Sequence, residues 1–253
     1  SAGNTGATHS TVMLKWRRLP GVSRPTLATV IPVPDHPVVL LDVGANIDCR
    51  PQHLTDFAVM GSIYCREMFG RRSPRVGLLN IGSEEGKGHG VIQMTYNMLM
   101  QSNVNFIGNV EGGDVFKGQV DVIVCDGFVG NSLLKFGEGL VKMVGKTLKR
   151  EFNSSPIARL GALLLLPQLR RFRNMINPSE YGGAPLLGVN GICLVCHGAS
   201  DSHAIKQALL MAGDCVRYDL NGKIQKALQE EHRHTPAGFD EALSDAATGT
   251  GLS

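Results

Sequence analysis

The chain has 253 residues, of which 43% are hydrophobic and 19% charged, and its formal net charge is +3. That length can bury a large core as one α/β domain or as two lobes, and the composition is that of a soluble globular protein without wholesale disorder. A balance of +3 is too small to imply a nucleic-acid partner. Six cysteines without regular spacing read as reduced thiols of a cytosolic protein, not as a disulfide framework. No run reaches the ~18 uninterrupted apolar residues of a membrane-spanning helix, and no signal peptide is visible. The chain opens at Ser1, without Met and directly on a glycine motif, which reads as a piece of a longer sequence.

Taken in order, Ser1, Gly3, Asn4, Thr5 and Gly6 belong to a Gly/Ser/Thr-rich turn feeding a helix over about residues 8–19. Unpaired backbone N–H groups and the positive end of a helix dipole both suit a phosphate. No Gly-Lys-Ser/Thr follows, so this is not a Walker A loop. A connection punctuated by five prolines leads to Val38-Val39-Leu40-Leu41, a buried strand ending in Asp42-Val43-Gly44-Ala45-Asn46. A helical pattern over about 55–69 comes next, then the strand Val76-Gly77-Leu78-Leu79, ending in a loop that contains Asn80 and Lys87. A helix over about 90–101 then precedes a strand near 104–107 that ends at Asn109 and Glu111. The apolar run 120–125 stops at Asp126-Gly127 and passes through Asn131 into another helical pattern. A last strand, near 192–196, comes after a glycine-rich loop and ends in His197-Gly198-Ala199-Ser200, before a helix over about 202–211.

Strands alternating with helices predict βαβ units and a largely parallel sheet. Five strands thus end in a tip of Gly plus polar residues. One such tip is an ordinary turn. Five on one sheet should converge on one edge, where open α/β sheets place their ligand sites.

Residues 133–176 differ from their surroundings. Leu133, Leu140, Val144, Leu148 and Phe152 recur near helical spacing, as do Ile157, Leu160, Leu164 and Leu169 in the next piece. Asn153-Ser154-Ser155-Pro156 is a helix-start signal, and Pro167 should kink or divide the second helix. This basic amphipathic hairpin carries +7, against −4 for the remainder, with Lys135 near its start. Basic and apolar residues together suit an interfacial membrane contact. They suit equally a dimer interface with a solvated basic rim. From about residue 229 the chain is polar and reads as a flexible tail.

Several familiar chemistries find no support. Cys193-Leu194-Val195-Cys196-His197 matches the haem-attachment spacing, but on a strand the two thiols point to opposite faces. Cys125 is a poor nucleophile, since neighbouring Asp126 raises its pKa. No G-x-G-x-x-G and no G-x-S-x-G occurs, which argues against a nicotinamide site or a serine hydrolase. No cofactor and no metal is expected.

In order and spacing, SAGNTGA, DVGAN, NIGSEEGKG, GNVEG, DGFVGN, YGGAPLLGVNG and HGAS resemble the bacterial phosphate acyltransferase (PlsX) family of phospholipid synthesis, over nearly all of residues 1–225. The resemblance implies a three-layer α/β/α sandwich like that of isocitrate/isopropylmalate dehydrogenase and phosphotransacetylase, over residues 1–228. It implies transfer of a fatty acyl group from acyl-acyl carrier protein to inorganic phosphate, giving acyl phosphate. It also implies a homodimer in the cytoplasm, held peripherally at the inner face of the cell membrane through the hairpin. The catalytic candidates are then Lys87, Asp126, Asn131 and His197. The substrate-binding candidates are Ser1, Gly3, Asn4, Thr5, Gly6, Asp42, Asn46, Asn80, Asn109, Glu111 and Lys135. The family's opening Asp-Ala-Met-Gly-Gly-Asp motif is not in this sequence, and Ser83, Gly86 and Ala199 depart from its usual residues. The alternatives are a short-chain transferase that uses coenzyme A, or a non-catalytic fragment that binds acyl carrier protein at the membrane.

Overall fold

The computed structural model describes residues 3–34, 36–175 and 182–234. Within them, β2 (Val38–Leu41), β5 (Val122–Val124), β3 (Arg75–Leu79) and β4 (Asn105–Val110) lie side by side and parallel. These are the strands of the predicted βαβ units. The sheet continues on the far side of β2 through β1 (Thr26–Ile31), β6 (Ala184–Leu187) and β7 (Leu194–Val195), each antiparallel to its neighbour. The expectation of a largely parallel sheet therefore holds for four of the seven strands. β1 lies between Pro25 and Pro32, inside what reads as a proline-rich connection, and β6 lies in what reads as a loop.

Two apolar layers arise from the two-residue period of these strands. Val39, Leu41, Val122 and Val124 face one side, where α2 (Pro51–Phe69), α3 (Gly90–Met100) and α8 (Leu220–His234) pack through Phe57, Met60, Leu99 and Ile224. Val38, Leu40, Ile123 and Cys125 face the other side, toward Val12 of α1 (Thr5–Lys15) and Leu133 and Leu134 of α4 (Gly127–Phe152). Sheet between two helical layers is the three-layer α/β/α sandwich. Cys193 belongs to one of these layers, whereas Cys196 packs with Ala208 of α7 (Ser202–Arg217), so the two thiols do face opposite ways.

The hairpin leaves this body. α4 is 26 residues long, about 39 Å, yet its only buried residues are Gly127 and Gly130, and residues 139–151 are exposed throughout. α5 (Pro156–Leu164) begins as predicted, with Ser155 accepting from the Ala158 N–H at 3.1 Å and Pro156 at the first helical position. It ends before α6 (Leu166–Met175), which carries Pro167 in its first turn. Among the described residues no helix is long and apolar enough to cross a membrane.

The polar tail expected from residue 229 is corrected for its first residues. α8 runs on to His234, and its stripe of Leu220, Ile224, Leu228 and Glu231 is buried. The rest of the tail lies outside the described residues. Polar contacts hold α8 to the body along its length, beginning with the Asn221 amide, which donates to the Val189 and Gly191 carbonyls at 3.1 Å. Lys223 Nζ meets Glu67 at 2.6 Å, Glu231 accepts from the backbone N–H and side-chain amide of Asn103, and His232 Nε2 lies 2.9 Å from Oδ1 of buried Asp56. Asp56 also accepts from Gln52 and the Ser23 hydroxyl.

The bond to Asp56 raises the pKa of His232, against the opposing effect of burial. A raised pKa in the fold adds stability below the unfolded value near 6.5, and that stability is lost as pH rises through the folded value. Melting temperature should therefore carry a downward component as pH rises above the ordinary histidine range that is absent in His232→Gln. Superimposable pH profiles for the two proteins would reject this clamp.

Candidate active site

The site begins with a carboxylate that the fold consumes. Asp42 follows β2 and is fully buried. Its Oδ1 accepts from the N–H groups of Leu27, Gly44 and Ala45 at 3.0–3.2 Å, and its Oδ2 from the Asn46 N–H and side-chain amide, both at 2.7 Å. Burial raises its pKa, and the donated hydrogen bonds oppose that rise. The Asn46 amide also donates to the Pro25 carbonyl at 2.7 Å. The expectation that Asp42 and Asn46 touch substrate is corrected here. Both are engaged inside the protein, where they set the shape of the DVGAN loop.

Against that loop sits the first turn of α4. The Gly127 N–H donates to the Asn46 carbonyl at 2.7 Å, and a Cβ on Gly130 would lie 1.9 Å from the Asp42 carbonyl oxygen. Only a residue without a side chain fits there. Asp126 caps the helix, its Oδ1 accepting from the Val129 N–H at 2.9 Å. Asn131 is exposed, with its side chain beside Gly44. DVGAN and DGFVGN thus form one continuous surface.

The loop after β3 adjoins it. The Asn80 amide donates to the Lys87 carbonyl at 3.0 Å, and the Asn109 amide donates to the Glu84 carbonyl at 2.8 Å. These two asparagines shape the loop from which Lys87 projects. Asn109 is buried, and its Oδ1 has no partner among the described residues. Lys87 itself is half exposed, and its Nζ is 4.0 Å from Glu84, a weak surface pairing. Glu111 serves a local role, capping the short 3₁₀ turn Gly112–Phe116.

Between these loops lies a cleft of about 390 Å³. Ile47, Leu54, Val91, Ile92 and Phe128 supply its apolar wall, and Asp48, Cys49, His89 and Asp126 complete the lining. α2, α3 and α4 all start at this edge, so three positive dipole ends point the same way. Arg24 and Arg50 act on His53 at the start of α2, which burial and then these charges hold below the ordinary histidine pKa. The Cys49 thiol is pushed up to about 12, chiefly by burial and then by Asp42 and Asp126. Burial, with Asp126 next, likewise puts Cys125 far above the thiol range, and neither is a ready nucleophile.

Not every sequence candidate joins this group. β7 runs antiparallel to β2–β5, so His197 leaves the sheet in the opposite direction from Asp42, Asn80, Glu111 and Asp126. Four tips converge, and the expected fifth does not. His197 meets the N-terminal turn instead. The Gly3 N–H donates to the Cys196 carbonyl at 3.2 Å, and Gly3 has a left-handed φ of 121°. Asn4 caps α1 by accepting from the Ala7 N–H at 3.0 Å, and Gly6 lies beside that cap. Nδ1 of His197 accepts from the Ala199 N–H at 3.0 Å, which leaves the proton of the neutral ring on exposed Nε2. His197 is therefore placed to donate to an anion, and not to remove a proton. Ser1 and the Thr5 side chain lie outside the described residues. Lys135 is not at a helix start. It is in the third turn of α4, about 12 Å along the axis from Gly127, and pairs with Glu138 at 3.1 Å.

Sequence reasoning passes over Asp48, Cys49 and His89. His89 has a readable signal, a residue between Gly88 and a helical pattern, which is where an N-cap falls. Asp48 and Cys49 have none, because their place depends on how the loop after DVGAN folds back over α2.

Fold and site together define an α/β protein with an apolar-walled cleft at the carboxyl edge of its parallel strands, where three helices start. Residues 1–223 match the model of the family described as "Fatty acid synthesis protein", and the chain belongs to that family. It is 48% identical over 229 residues to a phosphate acyltransferase of Nitratidesulfovibrio vulgaris, covering 90% of this chain and 66% of that one. It is 50% identical over 220 residues to the phosphate acyltransferase of Moorella thermoacetica, covering 87% and 65%. The chain thus spans about two thirds of the length of the curated relatives it matches. Among solved structures, a phosphotransacetylase from Staphylococcus aureus aligns with a TM-score of 0.47 at 18% identity, covering 88% of this chain and 61% of that one.

The contact at Gly130 is open to a direct test. Gly130→Ala should destabilise the protein by roughly 1–3 kcal/mol through overpacking against a backbone oxygen. Gly137→Ala, at a position on the same helix with open space around it, should be neutral or stabilising by up to ~1 kcal/mol. Equal denaturation midpoints for the two variants would mean that α4 is not seated through Gly130.

Proposed function

We propose that this chain is the larger part of an acyltransferase that moves a fatty acyl group from acyl-acyl carrier protein to inorganic phosphate, giving acyl phosphate for phospholipid synthesis. The observation that carries the reading is the seating of DGFVGN on DVGAN beside one cleft, lined by residues just after DVGAN and NIGSEEGKG and by Asp126 and Phe128, in a chain about half identical to phosphate acyltransferases.

Phosphate is an oxyanion nucleophile at neutral pH, and a thioester already has a good leaving group. The reaction needs positioning and charge more than covalent help. A phosphate oxygen attacks the thioester carbonyl carbon, the carbonyl electrons move onto oxygen, and the tetrahedral intermediate collapses by expelling the carrier's thiolate. Lys87, weakly paired and exposed, is the cation for the phosphate. The oxyanion takes its donors from α4. Gly127 and Val129 donate to Asn46 and Asp126, which leaves the Phe128 N–H as the first-turn donor without an acceptor among the described residues. The Asn131 amide stands one turn further on. Asp126 holds the first turn of α4 in place through its cap on the Val129 N–H, and so fixes these donors.

Lys87→Ala and Asn131→Ala should each lower acyl phosphate formation by roughly 10²–10³-fold. Wild-type rates in both would reject the assignment. Comparing acyl-acyl carrier protein with acyl-coenzyme A separates this reading from a short-chain, coenzyme A-dependent transferase.

The hairpin supports peripheral membrane attachment. Phe136, Leu140, Met143, Ile157, Leu160 and Leu164 are exposed, on the same hairpin as exposed Lys142, Lys146, Lys149 and Arg170, the mixture of apolar and basic side chains that suits a membrane interface. Binding to vesicles of anionic phospholipid should weaken with added salt and with Leu164→Glu. Unchanged co-sedimentation in both cases would favour a second protomer of a homodimer as the partner of this surface.

A further inference from the structure

The cleft lining is divided by polarity in a way that the reaction alone does not require. Leu54 and Ile92 form a buried floor, and Val91 is half buried beside them. Ile47 and Phe128 form the lips, with relative exposures of 69% and 66%, one from the loop after β2 and the other from the first turn of α4. Ile81, in the loop after β3, is another large apolar residue left in solvent at this edge. No Lys or Arg is in the lining, and its two carboxylates, Asp48 and Asp126, would repel a phosphate dianion at contact distance. The cleft is therefore an unsuitable seat for the nucleophile, although it adjoins the groups proposed to activate the thioester.

Resting on the acyl-transfer reading above, we propose that this cleft seats the acyl chain of the donor, so that Val91 and Ile92 of α3, with the lips Ile47 and Phe128, set its chain-length preference. The geometry supplies both ends of such a ligand. The thioester carbonyl lies at the start of α4, within reach of the Phe128 N–H, and the hydrocarbon runs from there over the Phe128 ring toward α3. Phosphate approaches from the Lys87 side, outside the cleft. A volume of about 390 Å³ is at the small end of the range for ligand pockets, which fits a hydrocarbon chain better than the carrier's whole prosthetic arm. Discrimination between chain lengths then comes from apolar burial, so it accumulates with each methylene and is sensitive to filling the floor.

The full chain should bind palmitate more tightly than butyrate, measured by calorimetry, and should prefer palmitoyl- to butyryl-acyl carrier protein. Val91→Trp, which fills the floor, should reduce that preference by roughly ten- to a hundredfold. Ile47→Asp, on an exposed lip where folding is not at risk, should reduce it in the same direction. An unaltered chain-length preference in both variants overturns the proposal, and so does a loss equal for acylated and unacylated carrier, which would make the prosthetic arm the occupant. Absence of palmitate binding overturns it as well. If palmitate binds and the variants behave as stated but no donor yields acyl phosphate, the acyl-chain seat stands and the acyltransferase reading fails.

Discussion

The site depends on an approach of backbone to backbone, in which the carbonyl oxygen of Asp42 occupies the space a side chain would need at position 130. That approach brings the start of α4 against the DVGAN loop, and it requires glycine at Gly130 and at Gly127. The loop can offer its backbone in this way because the Asp42 carboxylate has gathered its N–H groups inward. One buried carboxylate organises the loop, and two glycines seat the helix on it. That contact sets the positions of Asp126, Phe128 and Asn131.

The same helix has two unlike halves. Its first turn is locked into the sheet edge, and its later turns stand free in solvent with an apolar stripe and a basic face. No break lies between them over 26 residues. Whatever covers the hairpin therefore acts on one continuous helix whose other end carries the cap residue Asp126 and the lip Phe128. A load on the far end is resisted chiefly by the Gly130 contact and by Leu133 and Leu134 in the apolar layer.

Charge and polarity are sorted around the cleft. Helix starts, Lys87 and the neighbouring arginines favour anions around the rim. The interior is apolar with carboxylates at its mouth. A second anion-suited group, His197 with the turn at Gly3, sits where β7 leaves the sheet in the other direction. Its histidine carries its proton outward on Nε2, so it offers a donor where the cleft edge offers helix N–H groups and an ammonium.

Much was legible in the sequence because it is local. The alternation of apolar runs with helical patterns marked β2, β3, β4 and β5, and Ser155-Pro156 marked the start of α5 through its cap. Chemistry-bearing residues at the strand tips could be named for the same reason: Gly, Asn and Asp at the end of an apolar run are a short-range signal. What tertiary structure alone decided was direction and engagement. β1 and β6 are strands because each pairs with a neighbour distant in sequence, not because their own residues insist on it, and their antiparallel run turns His197 away from the other tips. Asp42 and Asn46 look like ligand groups in sequence, and only the fold shows that both Asp42 oxygens and the Asn46 side-chain amide nitrogen are already engaged. A residue's type is written in the chain, but whether its polar atoms face a ligand or a backbone amide depends on how the loop folds back on itself and on the Pro25–Leu27 segment beside it.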